Sequence, residues 1–359
     1  MKSRVFLLVL AVLLVAAAAQ AEEGFKMKRT HAGKPDLSGN YDGATMTPLN
    51  RPEELGEQQF MTREEAEKLM ADNAERRATA HAQSDPERGA PVLGGAEVKT
   101  GGGGGTGGYN DFWLDRGDTL FEVDGKFRTS IVYDPPNGRQ PAMTAKGQAR
   151  RDRNFTSFTY VNDGTASWLD DEEGPGPFDG PEEQAWAERC ILGFSAGPPS
   201  LPGAYNNFKT IVQNDDHVVI LLEMVHDARS VRLGDAEHEP AENRKWLGDA
   251  IGHWEGDTLV VETTNFREHT GLYGGDENLH LVERFSLLDS GDLLYNFTVT
   301  DPTAWTAPWS GEYVWKRKNE RVYEYACHEG NYAMGNTLRG ARLLEQEELA
   351  RRSGSSGGG

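Results

Sequence analysis

Glu262, His280, Arg284, Asn296, Glu324 and His328 are the residues whose types and spacing could do acid–base chemistry. Side chains alternate between the two faces of a strand, so residues an even number apart share a face. If the late runs of this chain are neighbouring antiparallel strands, Glu262, His280, Arg284, Asn296, Thr298, Glu324 and His328 fall on one side. Glu262 or Glu324 beside His280 or His328 would orient the imidazole as a general acid or base. Arg284 would hold an anionic or carbonyl group through its fork of donors, and Asn296 would add an amide. The opposite parity carries Leu259, Val261, Leu279, Leu281, Phe285, Leu293, Tyr295, Phe297, Val299, Tyr323 and Tyr325 and is the packed side. The ionisable side is then either the lining of a cavity or a solvated face.

Two further groups could bind a ligand. Tyr205 and Asn206 lie where a loop enters the sheet, a place that serves either ligand contacts or Asx turns. Trp305, Trp309 and Trp315 surround a strand end and could stack on a sugar or an apolar ring. The alternative is that these tryptophans close one end of the core.

Other motifs fail on their context. Gly193–Gly197 fits G-x-S-x-G, but Pro198-Pro199 follow and forbid the helix that a nucleophile elbow at Ser195 needs. His238-Glu239 runs into Pro240 and is no helical zinc site, and His253-x-Glu255 has no P-C-x-x-C partner. Adjacent Cys327 and His328 would point to opposite faces of a strand and cannot form a thiolate–imidazole pair. No metal site and no cofactor follow from the spacing. The glycine-rich run 101–108 lacks the Lys-Ser/Thr of a phosphate loop and reads as a linker. The acidic, Pro/Gly-rich 163–183 matches no EF-hand and reads as a solvated loop.

The elements that must position these residues are strands. From Asp249 to Tyr332, β-branched and aromatic runs alternate with Gly, Asp, Asn and Ser breaks, the pattern of an antiparallel meander. Asp124-Gly125 between alternating runs marks a hairpin, and DPP at 134–136 ends its second strand. Residues 208–233 read as a hairpin turned at Asn214–Asp216 with a long second strand. On that strand His226 shares a face with Val218, Ile220, Leu222 and Met224 and reads as a core histidine. Asp227 and Arg229 share the other face, where a buried ion pair would fix the hairpin. One helix follows Met61, with Thr62 as its cap and Glu65 at the capping-box position. The expected fold is mainly β: an antiparallel meander forming a barrel or a bent sandwich, with an N-terminal helical arm. The expected boundaries are a leader at 1–21, an arm with helix and linker at 22–108, the β domain at 109–342 and a disordered tail at 343–359.

PDLSG, TS-x-x-x-DPP-x-GR, ERC-x-x-GF-x-x-GPP, HDAR, GHWEGDTLVVETTNF, LHLVERF and YEYACHEGNY occur in this order. Together they resemble a family of uncharacterised secreted bacterial proteins, over most of residues 35–342. The resemblance implies one integral domain with an N-terminal arm and brings no catalytic residues with it.

Lys2 and Arg4, the apolar Val5–Ala18 and the small-x-small Ala19-Gln20-Ala21 form the pattern of a secretory leader. The expected location is periplasmic or secreted, with no membrane insertion of the mature chain. With 57 acidic against 37 basic residues the net charge is −20, which repels phosphate backbones and argues against nucleic acid as a partner. Only Cys190 and Cys327 are present, and outside the cytoplasm they can pair; the alternative is two separate buried thiols. The expected function is a small-molecule hydrolase or lyase working through a carboxylate and a histidine in a β-domain cavity. The alternative is a lipocalin-like protein that binds an apolar or glycan ligand without changing it.

Overall fold

The computed structural model describes residues 25–80, 114–159, 164–170, 175–194, 197–268 and 270–355. The expected leader, the glycine-rich linker and Ser195 lie outside these residues.

The meander forms as its pattern requires. Strands β9 (Asp249–Glu255), β10 (Thr258–Thr264), β11 (His280–Leu287), β12 (Leu293–Thr300) and β13 (Trp309–Lys318) pair antiparallel in sequence order. Strands β6 (Phe208–Gln213), β7 (His217–Leu222) and β8 (Ala228–Leu233) form a second antiparallel run. β8 joins β9 in parallel, after a crossover through residues 234–248. The short β1 (Gly39–Asp42) pairs with both β6 and β13 and closes nine strands into a barrel. Closure leaves no sheet edge exposed along those strands.

Parity then decides the interior. Phe285, Tyr295, Phe297, Trp309, Tyr313 and Trp315 point inward and are at most 1% exposed. Their rings meet tilted or edge-on, with centroids 4.7 Å apart for Tyr295 and Trp315 and 5.6 Å for Phe297 and Trp309. Burying each such ring stabilises by roughly 1.5–3 kcal/mol. Gly311 is required opposite Phe297, because a Cβ there would sit 2.5 Å from the ring. The interior is therefore a packed core.

The N-terminal arm is part of this body. It supplies β1, and the 126–134 segment that follows packs over the outer face of β12 and β13 through Arg128 and Tyr133. Strand β5 (Val132–Asp134) pairs with β13, and Arg51, 1% exposed, ties the arm together through Thr129 and the carbonyls of Gly56 and Pro136. β1, N-terminal to the expected boundary at 108, thus belongs to the barrel. Strands β2 (Phe60–Met61), β3 (Glu122–Val123) and β4 (Lys126–Arg128) make a small second sheet, and β3 and β4 turn at Asp124-Gly125 with both φ angles positive. Helix α1 (Arg63–Ala80) starts with the expected box: Glu65 N donates to Thr62 Oγ1 (3.2 Å) and Thr62 N to Glu65 Oε2 (2.7 Å). Helix α2 spans Ala145–Thr159.

Three expectations are corrected. The long second strand of the 208–233 hairpin is broken by a 3-10 turn at Met224–His226, with Val225 at φ 60°. The turn resets the parity, so His226 is exposed and not in the core, and Arg229 faces Glu283 and not Asp227. Strand β13 ends at Lys318, so residues 319–331 carry no strand. The tail, bounded as disordered from 343 although 338–352 reads as a short helix, is helical as far as Ser355 in α3 (Tyr332–Ser355), whose Ala341 packs with Trp168 and Phe178.

Candidate functional site

Glu262 and His280 do meet. They stand diagonally on β10 and β11, where Glu262 opposes Val282, and His280 Nε2 lies 2.6 Å from Glu262 Oε1. That bond, with help from His238 and His253, lowers the Glu262 carboxyl below its ordinary value. Arg284 lies further along β11 but pairs with Glu255, whose other oxygen is 3.4 Å from His253. This row is on the outer face of the barrel, with His280 and Glu262 side chains 40% and 45% exposed. Asn296 shares that face but is covered by β5, its amide donating to Tyr133 Oη at 2.9 Å.

The other predicted residues part from this row. Glu324 and His328 were placed by strand parity, and the chain has left the sheet before reaching them; both are exposed. Tyr323, assigned to the packed side by the same count, is 75% exposed. Trp305 and Trp309 are 2% and 0% exposed and pack edge to face in the core, so they offer no stacking platform.

A different constellation gathers at one end of the barrel. Cys190 and Cys327 form a disulfide, with Cα atoms 5.8 Å apart. It joins the 185–191 loop to the irregular 319–331 segment. Between them lies a recess of about 750 Å³ lined by Glu188, Tyr205, Asn206, Glu324, Tyr325 and Asn331, with Cys327 in its wall. The recess unites Tyr205, Asn206 and Glu324, three of the predicted site residues. Asn331 Nδ2 donates to the Glu188 carbonyl (2.5 Å), and Glu188 Oε2 accepts from Ser157 Oγ (2.5 Å) and Ala185 N (3.0 Å). His226 Nδ1 donates to the Tyr325 carbonyl at 3.1 Å.

Backbone strain concentrates here. Six non-glycine residues among those described have positive φ, and Cys190, Asn206, Val225 and His226 are four of them. Each such position costs of order 1–3 kcal/mol and persists only where surrounding contacts enforce it. Asp227, next to His226, has a buried Oδ2 with no hydrogen-bond partner, and burial pushes its carboxyl up to about 6. Strain, an orphaned carboxylate oxygen and a cavity coincide at this end.

Sequence reasoning missed Glu188, Tyr325 and Asn331. The signal for them was present: pairing Cys190 with Cys327 brings the neighbours of each cysteine together. Among the described residues no group of three or more His, Cys, Asp or Glu is placed to hold a metal ion.

No family model and no curated protein matches the chain. Among solved structures the barrel is similar to the fluorescent protein UnaG. The wild-type structure aligns at 17% identity and a TM-score of 0.21, covering 31% of this chain and 72% of that one. A single-site mutant of UnaG aligns at 17% identity and a TM-score of 0.22, covering 37% and 86%. Likeness at that level carries no argument about ligand or activity.

Proposed function

We propose that this chain is an exported binding protein that takes a small polar ligand in the recess beside the Cys190–Cys327 disulfide. The observation that carries the reading is the recess itself, assembled from three segments, 187–188, 205–206 and 324–331, and cross-linked where two of them meet. Its wall mixes tyrosine rings, amides and carboxylates, the composition of a site that orients a ligand by a few polar contacts. A ligand inside the barrel, as in lipocalins, is disfavoured by the aromatic filling. A disulfide fits a compartment outside the cytoplasm, in keeping with the leader pattern. Among the described residues no helix is long and apolar enough to cross a membrane.

Native mass spectrometry of protein recovered from the exported fraction tests the reading. A bound small molecule is expected on the wild type and absent from Tyr205→Ala, with near-UV circular dichroism unchanged. Retention of the same mass by the variant would place the ligand elsewhere.

A second reading, acid–base catalysis, is favoured by the 2.6 Å contact of His280 and Glu262. It requires that His280→Gln abolish a hydrolase or lyase activity of the exported protein. A variant as active as wild type on every substrate turned over would end it.

A further inference from the structure

We infer that the ligand of the disulfide recess is a small organic cation, a primary or quaternary ammonium compound; this rests on the binding reading above. The wall holds the carboxylates of Glu188 and Glu324, and no lysine, arginine or histidine lines it among the described residues. Glu324 is exposed, with no hydrogen bond or ion pair among the described residues, so its charge is not neutralised by a neighbour. Glu188 Oε2 accepts from two neutral donors, the Ser157 hydroxyl and Ala185 N. Some surface carboxylates do meet a cation, Asp257 with Arg29, Glu255 with Arg284 and Glu348 with Arg351 and Arg352; among the described residues Glu188 and Glu324 do not. The recess is thus a concavity of unmatched negative charge on a chain of net charge −20, and such a cleft concentrates cations. Tyr205 and Tyr325 add ring faces and edges, which attract an ammonium over their negative faces. The side-chain amide of Asn206 supplies an acceptor for its N–H or hydroxyl groups.

Isothermal titration of the disulfide-intact full chain with tetramethylammonium, ethanolamine and spermidine, against glucose, acetate and Ca²⁺, tests the inference. An ammonium probe is expected to bind, more weakly as ionic strength rises, and Glu324→Gln should weaken it about three- to fivefold. Tyr205→Leu should weaken tetramethylammonium further while leaving the melting temperature unchanged. Binding of glucose or acetate but of no ammonium probe would overturn the cation assignment and leave the binding reading standing. Binding of Ca²⁺ with no ammonium probe would overturn it in favour of a metal site. Ammonium binding that is indifferent to both Glu324→Gln and Tyr205→Leu would remove it from this recess.

Discussion

Arg229 and Glu283 face each other across the barrel interior from β8 and β11, strands that the sheet keeps two strands apart. Arg229 Nη1 is 2.9 Å from Glu283 Oε1, its Nη2 also meets the second carboxylate oxygen, and Thr263 Oγ1 accepts from Nη2 at 2.8 Å. Tyr295 Oη donates to Glu283 at 2.7 Å, and Ser200 N donates to Tyr295 Oη at 3.0 Å. Tyr313 Oη donates to the Ser200 carbonyl at 2.5 Å, so the loop after Pro199 is latched to the pair. With Glu283 at 0% exposure and Arg229 at 6%, the two charges depend on each other.

Removing one of them leaves the other buried and unmatched. Glu283→Leu alone should destabilise by about 3–5 kcal/mol in denaturant unfolding, whereas Arg229→Met with Glu283→Leu should recover most of the loss. Single and double variants of equal stability would show that the pair does not carry its own desolvation.

The Cys190–Cys327 bond spans 137 residues of sequence. On the chain-entropy account, its reduction should lower stability by about 5 kcal/mol. Ligand capture should be lost as well, because reduction frees the 319–331 wall of the recess. Unfolding with and without a thiol reductant, followed by native mass spectrometry of the reduced folded protein, checks both parts.

Asp249 anchors the crossover between β8 and β9. Its buried carboxylate accepts from Arg232 (2.9 Å), Lys245 (2.8 Å), His238 Nδ1 (3.1 Å) and Glu239 N (3.0 Å). The Arg232 bond above all holds its pKa far below the ordinary carboxylate range. A carboxyl depressed in the fold contributes stability that is present above its unfolded pKa, about 3.9, and is lost as pH falls below it. Asp249→Asn should therefore destabilise near neutral pH and flatten the acid limb of a stability profile measured from pH 7 to 2.

Asp227 should behave in the opposite sense. Burial raises its carboxyl to about 6, so the fold favours the protonated form, and stability should fall as pH climbs from about 4 through 6. Asp227→Asn is expected to stabilise the protein at pH 7.5 by about 2 kcal/mol and to remove that slope. A destabilised variant would mean that the carboxylate has a role the geometry does not show.

His280→Ala should release Glu262 upward toward the ordinary carboxylate value, as followed by NMR titration. The stability change should stay below about 1 kcal/mol, because both side chains are nearly half exposed and solvent screens the pair.

The chain determined much of this locally. Alternating runs separated by tight turns specified the hairpins of β9 to β13, and their parity separated Phe285, Tyr295 and Phe297 from His280, Arg284 and Asn296. Thr62 and Glu65 fixed the start of α1, Asp124-Gly125 a turn, and the two cysteines the one pairing open to a disulfide. These are features set within a few residues, or by there being only one partner to choose.

Whether the ionisable face would line a cavity or meet solvent was decided by closure, and closure is a long-range event. Once β1, taken from the arm, bridged β6 and β13, the apolar face curled inward and filled, and the ionisable face became the outside. Parity counting also failed where the chain left the extended state: past Lys318 for Glu324 and His328, and at Val225 for His226 and Arg229. A left-handed residue or a strand end carries no periodicity of its own. The recess could not be read from spacing because its 324–331 wall lies more than a hundred residues in sequence from the wall at 187–206. The tertiary fold, fastened by the Cys190–Cys327 bond, set Glu188, Tyr205, Glu324 and Asn331 around one space.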